Sequence, residues 1–137
     1  MGKSYDCIGL MSGTSLDGLD LCYVKFEFHN EKWCFEIQAV ETISYQKDFK
    51  DKLSTAEILS GFDLMLLSNE FGRFSGRAVL SFINKHDIKS LFVASHGHTI
   101  FHQPAKNFTV QIGSGASRAA ECGLPVISDF RSLDVAL

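Results

Sequence analysis

The sequence predicts a mixed α/β domain: three antiparallel strands, then helix, strand, helix, strand. Three observations carry that prediction. Residues 20–39 alternate apolar and polar side chains on either side of a polar turn, which is the period of half-buried strands. Residues 61–85 repeat apolar side chains at helical spacing. The run Leu91-Phe92-Val93-Ala94 is apolar on both faces, as in a strand covered on both sides. A chain of 137 residues that is 45% hydrophobic with 12 Phe fits one domain with a substantial core.

The first element is the mostly apolar run Tyr5 to Leu10, read as a strand. From Asp20 to Phe28, Cys22, Val24, Phe26 and Phe28 point one way, and Tyr23, Lys25 and Glu27 the other. His29-Asn30-Glu31-Lys32 is a polar turn. Trp33, Phe35, Ile37 and Ala39 then alternate with Cys34, Glu36 and Gln38. These runs predict a three-stranded meander with one face buried. A short polar helix is expected over Gln46 to Leu53, and a long one from Gly61 to Lys85 with Leu67, Phe71, Phe74, Ala78 and Phe82 on one stripe. Gly72 and Gly76 interrupt it, each at a cost of about 1 kcal/mol against Ala; they either permit close packing against another backbone or are simply tolerated.

A strand is expected over Ser90 to Ser95, then a small hairpin of Thr99–Phe101 and Phe108–Ile112 around Gln103-Pro104-Ala105-Lys106-Asn107. Ser114 or Ser117 caps a helix through Cys122, which Gly123 and Pro125 end. Val126 to Ser128 is the last strand, followed by a charged loop with no closing helix. The apolar ending Asp134-Val135-Ala136-Leu137 reads as a truncation. The order as a whole resembles the ribonuclease-H-like unit of the sugar kinase, Hsp70 and actin superfamily, with a mixed sheet flanked by helices.

Composition narrows the partners. Net charge is −3 with no basic patch, which argues against nucleic acid. No apolar run reaches the roughly 18 residues of a membrane span, and no signal peptide is visible. Cys7, Cys22, Cys34 and Cys122 lack metal-type spacing. The first three fall in predicted strands as small buried hydrophobes, and reduced thiols point to the cytoplasm.

Four segments carry chemistry. In Gly9-Leu-Met-Ser-Gly-Thr-Ser-Leu-Asp-Gly-Leu-Asp20 two glycines bracket a Thr-Ser pair and an acid. Backbone N–H groups and hydroxyls in such a turn cradle phosphate, and Asp17 or Asp20 could meet a metal ion; a plain turn is the alternative. In Ser95-His96-Gly97-His98-Thr99, with His102 further on, the histidines suit a metal, a sugar hydroxyl or carboxylate, or a structural role. His96 and His98 share a face if the chain is extended. Ser95 and His96 do not, so they form no nucleophile–base pair. Gln111-Ile112-Gly113-Ser114-Gly115 opens a helix, either as a plain helix start or as a ligand site presenting free N–H groups. In Asp129-Phe130-Arg131-Ser132-Leu133-Asp134, Arg131 could grip a carboxylate bidentately; solvated loop charge is the alternative.

As an ordered set these segments resemble the anhydro-N-acetylmuramic acid kinase family, and the resemblance covers the chain but only the N-terminal part of the family's length. It implies that residues 1–137 are the N-terminal lobe of a two-lobe kinase, with the second lobe lying outside them. It implies ATP and Mg2+ as cofactors and 1,6-anhydro-N-acetylmuramic acid as substrate. The anhydro bridge is hydrolysed and the 6-hydroxyl phosphorylated, giving N-acetylmuramic acid 6-phosphate in cytoplasmic peptidoglycan recycling. Carried onto this chain, Gly13, Thr14, Ser15, Leu16, Asp17, Gly18, Leu19 and Asp20 form the phosphate loop, with Asp17 near the metal. Ser95, His96, Thr99 and Arg131 take the sugar, Arg131 pairing its lactyl carboxylate. The general base lies outside this chain, so the fragment alone is expected to be inactive and open to self-association as a homodimer. Two positions depart from the family: His98 stands where Gln is common, and Ser114-Gly115 where Asn/Asp-Pro is usual. A stand-alone sugar- or nucleotide-binding module, or a superfamily kinase for another sugar, are the competing readings.

Overall fold

The computed structural model describes residues 3–137. Strands β1 (Lys3–Ser12), β2 (Leu19–His29) and β3 (Lys32–Ile43) form the meander. Helix α1 (Lys47–Ser54), a 3₁₀ turn (Ala56–Ile58) and the long helix α2 (Gly61–His86) follow. Then come β4 (Phe92–Gln103), a second 3₁₀ turn (Pro104–Lys106), β5 (Phe108–Ile112), α3 (Gly115–Cys122), β6 (Val126–Ser128) and α4 (Phe130–Ala136). The sheet runs β3-β2-β1-β4-β5, with β6 also on β4. β1 and β6 pair with β4 in parallel, and β5 pairs antiparallel to it. No helix among the described residues is long and apolar enough to cross a membrane.

The core lies between α2 and one face of the sheet. Ile8, Leu10, Leu19, Leu21 and Val93 meet Leu67, Phe71, Val79 and Phe82 there. The Ser60 side chain caps α2 by accepting from the Asp63 N–H at 3.0 Å. Asp87 ends it in the left-handed conformation, φ 49°. Of the two serines offered as caps for α3, Ser114 takes the role, accepting from the Ser117 N–H at 3.1 Å.

Gly72 and Gly76 let α3 press against α2. A Cβ on Gly72 would stand 2.6 Å from the Ser114 carbonyl oxygen, and one on Gly76 2.7 Å from that of Arg118. This contact seals Arg118 completely. Its Nε donates to Ser75 Oγ at 2.8 Å, while Nη1 and Nη2 find no partner. Burial pushes the guanidinium pKa down to about 10.

Several expectations are corrected. β4 is one continuous strand rather than a strand and a separate hairpin arm, because a bulge at its middle keeps the ladder going. The segment after β6 is the helix α4 rather than a loop. In the meander, the buried face carries Leu19, Leu21 and Tyr23. Trp33, Phe35 and Ile37 are 54, 68 and 55% exposed, and Cys34 is exposed as well. The reason is a register shift between Tyr23 and Val24. It gives β3 one extra residue at Gln38 and turns its outer half away from α2. The aromatic residues there cover one another instead: Phe28 and Trp33 lie 5.0 Å apart, and Tyr5 and Trp33 5.8 Å.

Two outcomes follow from this packing. Gly76→Ala gains helix propensity of about 1 kcal/mol but drives a methyl into backbone, so a net loss of about 1–2 kcal/mol is expected, read as a lower midpoint in urea unfolding. The exposed apolar sheet face should make the 137-residue chain self-associate with rising concentration. Sedimentation velocity checks this, and Phe35→Ser with Ile37→Ser should restore the monomer.

Candidate functional site

The hairpin between β1 and β2 is a six-residue loop, Gly13 to Gly18. Its first turn closes with the Leu16 N–H donating to the Gly13 carbonyl at 3.2 Å, and Leu16 takes φ 58°. Thr14, Ser15 and Asp17 are exposed. Gly18 is buried, and a Cβ there would meet the Ile43 carbonyl oxygen at 2.6 Å, so glycine is what lets β3 close over the loop's return. Leu19 belongs to the core. Asp20 is exposed and accepts from Thr42 Oγ1 at 2.6 Å. Thus Thr14, Ser15 and Asp17 are turned outward, while Asp20 is engaged beside β3.

The histidine strand lies beside this loop. Leu10 pairs with Ser95 and Ser12 with His98, so β4 has one residue more than β1. Gly97 absorbs it at φ 75°, and its N–H donates to Ser95 Oγ at 3.2 Å. The extra residue breaks the alternation that would have set His96 and His98 on one face. His98 points under α2, with its ring 6.1 Å from that of Phe71. His96 points the other way, against Phe130 at 6.3 Å. Ser95 is buried beneath the bulge. Among the described residues no three His, Cys, Asp or Glu side chains gather as a metal cluster.

Two polar groups result. Thr14, Leu16, His98 and Thr99 line a cavity of about 290 Å³ that Leu53, Ser54, Glu57 and Ile100 complete. On the opposite face of β4, Arg131 Nη1 lies 3.3 Å from His96 Nε2, and His96 Nδ1 lies 3.2 Å from the Gly97 carbonyl. The carbonyl can only accept, so Nδ1 carries the proton and Nε2 accepts from Arg131. Arg131 Nε stands 3.6 Å from the Asp134 carboxylate, beyond hydrogen-bond length. The structure therefore joins Thr14 and Leu16 with Thr99, and His96 with Arg131. It does not bring Ser95, His96, Thr99 and Arg131, the four residues expected to take the sugar, onto one face.

Sequence reasoning missed the buried link between loop and strand. Ser12 Oγ lies 2.6 Å from the Tyr45 hydroxyl and 2.9 Å from His98 Nδ1. Burial pushes the His98 imidazole pKa below its ordinary value, so the ring is neutral at neutral pH. Tyr45 stands alone among polar residues in the sequence and Ser12 is one more residue of the glycine loop. Neither carries a spacing signal, and only the position of Ser12, directly before Gly13, pointed toward a role. Ser54 and Glu57, also unforeseen, reach the cavity because α1 and the 3₁₀ turn cover it.

The turn at Gly113 is tied to α2: the Gly113 N–H donates to Ser68 Oγ and the Ser114 N–H to the Ser68 carbonyl, both at 3.0 Å. These donors are spent on the fold. Gly97→Ala would place a methyl 2.7 Å from the Ile112 carbonyl oxygen at a left-handed φ. It is expected to cost about 1–3 kcal/mol. Amide shifts at His96, His98 and Ile112 should change together in a ¹⁵N-correlated spectrum if the bulge governs both groups.

Comparison with known proteins adds the lineage. The family model for anhydro-N-acetylmuramic acid kinase matches residues 5–137. An anhydro-N-acetylmuramic acid kinase of Synechococcus elongatus is 32% identical over 95% of this chain and 36% of its own length. Those of Pseudomonas putida and Clostridioides difficile are 37 and 38% identical over 94% of this chain. They are matched over 36 and 37% of their own lengths. The chain belongs to the anhydro-N-acetylmuramic acid kinase family, and it spans little more than a third of the length of these relatives.

Proposed function

We propose that this member of the anhydro-N-acetylmuramic acid kinase family is the N-terminal lobe, of ribonuclease-H-like fold, of a two-lobe ATP-dependent kinase. The reaction opens 1,6-anhydro-N-acetylmuramic acid. Water adds to the anomeric carbon, the bond from that carbon to the bridging oxygen breaks, and the freed 6-oxygen takes the γ-phosphoryl group of ATP. The products are N-acetylmuramic acid 6-phosphate and ADP, and the setting is peptidoglycan recycling in the cytoplasm. The observation that supports this most is the hairpin loop itself. It has outward Thr14, Ser15 and Asp17, and it shares a cavity with β4.

The donor set suits a phosphate chain. The turn's backbone and the Thr14 and Ser15 hydroxyls can hold phosphate oxygens. Asp17 offers a carboxylate oxygen, the ligand type Mg2+ prefers, and one carboxylate with phosphates and water is its common arrangement. Bound there, the ion would neutralise phosphate charge. Thr99 at the cavity and His96 with Arg131 across β4 supply polar contacts on the sugar side. Arg131 suits the lactyl carboxylate because a guanidinium binds a carboxylate through two parallel N–H groups. Ser95 acts from beneath by bracing Gly97. The water-activating base comes from outside these residues, so the fragment alone should not turn over.

The test uses the full-length gene product with Mg-ATP and 1,6-anhydro-N-acetylmuramic acid, with products read by mass spectrometry. N-Acetylmuramic acid 6-phosphate and ADP are expected. Arg131→Ala should raise KM for the sugar by about tenfold or more, as loss of a charge-assisted contact implies, and change KM for ATP little. Asp17→Asn should raise the Mg2+ concentration needed for half-maximal rate. Phosphorylation of a different sugar alone would favour another superfamily kinase, and binding without turnover a stand-alone module.

A further inference from the structure

We propose that Tyr45 and Ser12 are positioning residues that hold His98 in one tautomer, with its Nε2–H turned toward the cavity as a hydrogen-bond donor to a ligand oxygen. The three side chains form a chain through Ser12 Oγ, 2.6 Å from the Tyr45 hydroxyl and 2.9 Å from His98 Nδ1. All three residues are buried, so none can exchange a protein partner for water without cost. Nδ1 is taken by Ser12, which leaves Nε2 as the nitrogen available to the cavity that His98 lines with Thr14 and Thr99.

The direction of the chain follows from counting hydrogens. If Nδ1 carried the proton, it would donate to Ser12, and Ser12 would donate to Tyr45. The phenolic hydrogen would then have no acceptor, because among the described residues Ser12 is the only side chain bonded to the Tyr45 hydroxyl. In the reverse direction both hydroxyl hydrogens are placed inside the protein, Tyr45 O–H donating to Ser12 and Ser12 O–H to Nδ1, and the one hydrogen without a protein acceptor is the ring proton on Nε2, at the cavity that His98 lines. A buried donor left unsatisfied is the costlier arrangement, so the second holds. Tyr45 is well placed to anchor it. Its ring is fixed by Phe49, Phe71 and Phe74 at 5.8, 6.4 and 5.7 Å.

This gives the site a neutral, oriented donor beside hydroxyls that are free to rotate. Such a donor suits a phosphate or sugar oxygen and discriminates against a ligand with a donor at the same place. Ser12 is also the last residue of β1 before the loop, so the same chain ties the root of the loop to β4. The inference rests on reading the cavity as a substrate site, but the tautomer does not, and the two can fail separately.

Long-range ¹H–¹⁵N correlation spectra of the 137-residue chain at neutral pH read the tautomer directly. The Nε2–H form is expected for His98 in the wild type. Tyr45→Phe, which keeps the ring packing, should give a mixture with the Nδ1–H form, and Ser12→Ala should do the same. An Nδ1–H wild type, or a tautomer unmoved by both variants, overturns the proposal. In the full-length gene product, Tyr45→Phe should raise KM for one substrate about 3- to 10-fold, the scale of one neutral hydrogen bond, with kcat within about twofold. His98→Gln sets an amide N–H donor near the place of Nε2 and should retain most of the activity that His98→Leu loses; equal loss in both overturns the donor role. If the expected tautomer is found but the wild type phosphorylates no anhydro sugar, the failure belongs to the proposed reaction and not to the relay.

Discussion

β4 pairs with three strands, and its capacity to do so rests on the kink at Gly97. Below the kink its residues pair with β1 on one side and β6 on the other. Above it, β5 replaces β6 on the same side. The extra residue at the bulge also sends His98 under α2 and His96 toward α4. A side chain at position 97 would collide with the Ile112 carbonyl oxygen. The spread of β5 from β6 and the opposed histidines are therefore two results of one backbone constraint.

The second organising contact is the approach of α3 to α2. Gly72 and Gly76 remove the bulk that would hold the helices apart, and their helix-propensity cost is recovered only through that approach. The fit is tight enough to enclose Arg118, whose guanidinium keeps one hydrogen bond in place of its hydration. An uncompensated buried cation is a liability. Burial lowers the Arg118 pKa, so the helix contact that encloses it carries a desolvation cost that the surrounding packing has to offset.

Local pattern made much of this visible in the sequence. The long helix was legible to within one residue at its end, because its apolar stripe and its Ser60 cap are both local signals. The loop at 13–18 was legible for the same reason, whereas the α2 glycines could be read either as a close contact or as tolerated until the approach of α3 is seen. The faces of β3 were not, since the extra residue at Gln38 reverses a period that the sequence carries without interruption. Nor was α4, whose seven residues lack a capping side chain at Asp129. Around the candidate site, motif and residue type singled out Thr14 and Thr99 at the cavity and Arg131 beside His96 across β4. Ser12, Tyr45 and His98 are brought together from positions 33 and 86 residues apart, and no spacing rule reaches that far.

The position of β1 between β2 and β4 has a consequence for the order in which the molecule assembles. β1, β2 and β3 are joined by short turns, so the meander and its loop can form from neighbouring residues at small entropic expense. Bringing His98 to Ser12 closes a circuit of 86 residues, and the penalty for such closure must be met before any contact rewards it. The parallel pairing of β1 with β4 is what brings His98 to the root of the loop, so the candidate site depends on a contact of high sequence separation that the hairpin alone does not need.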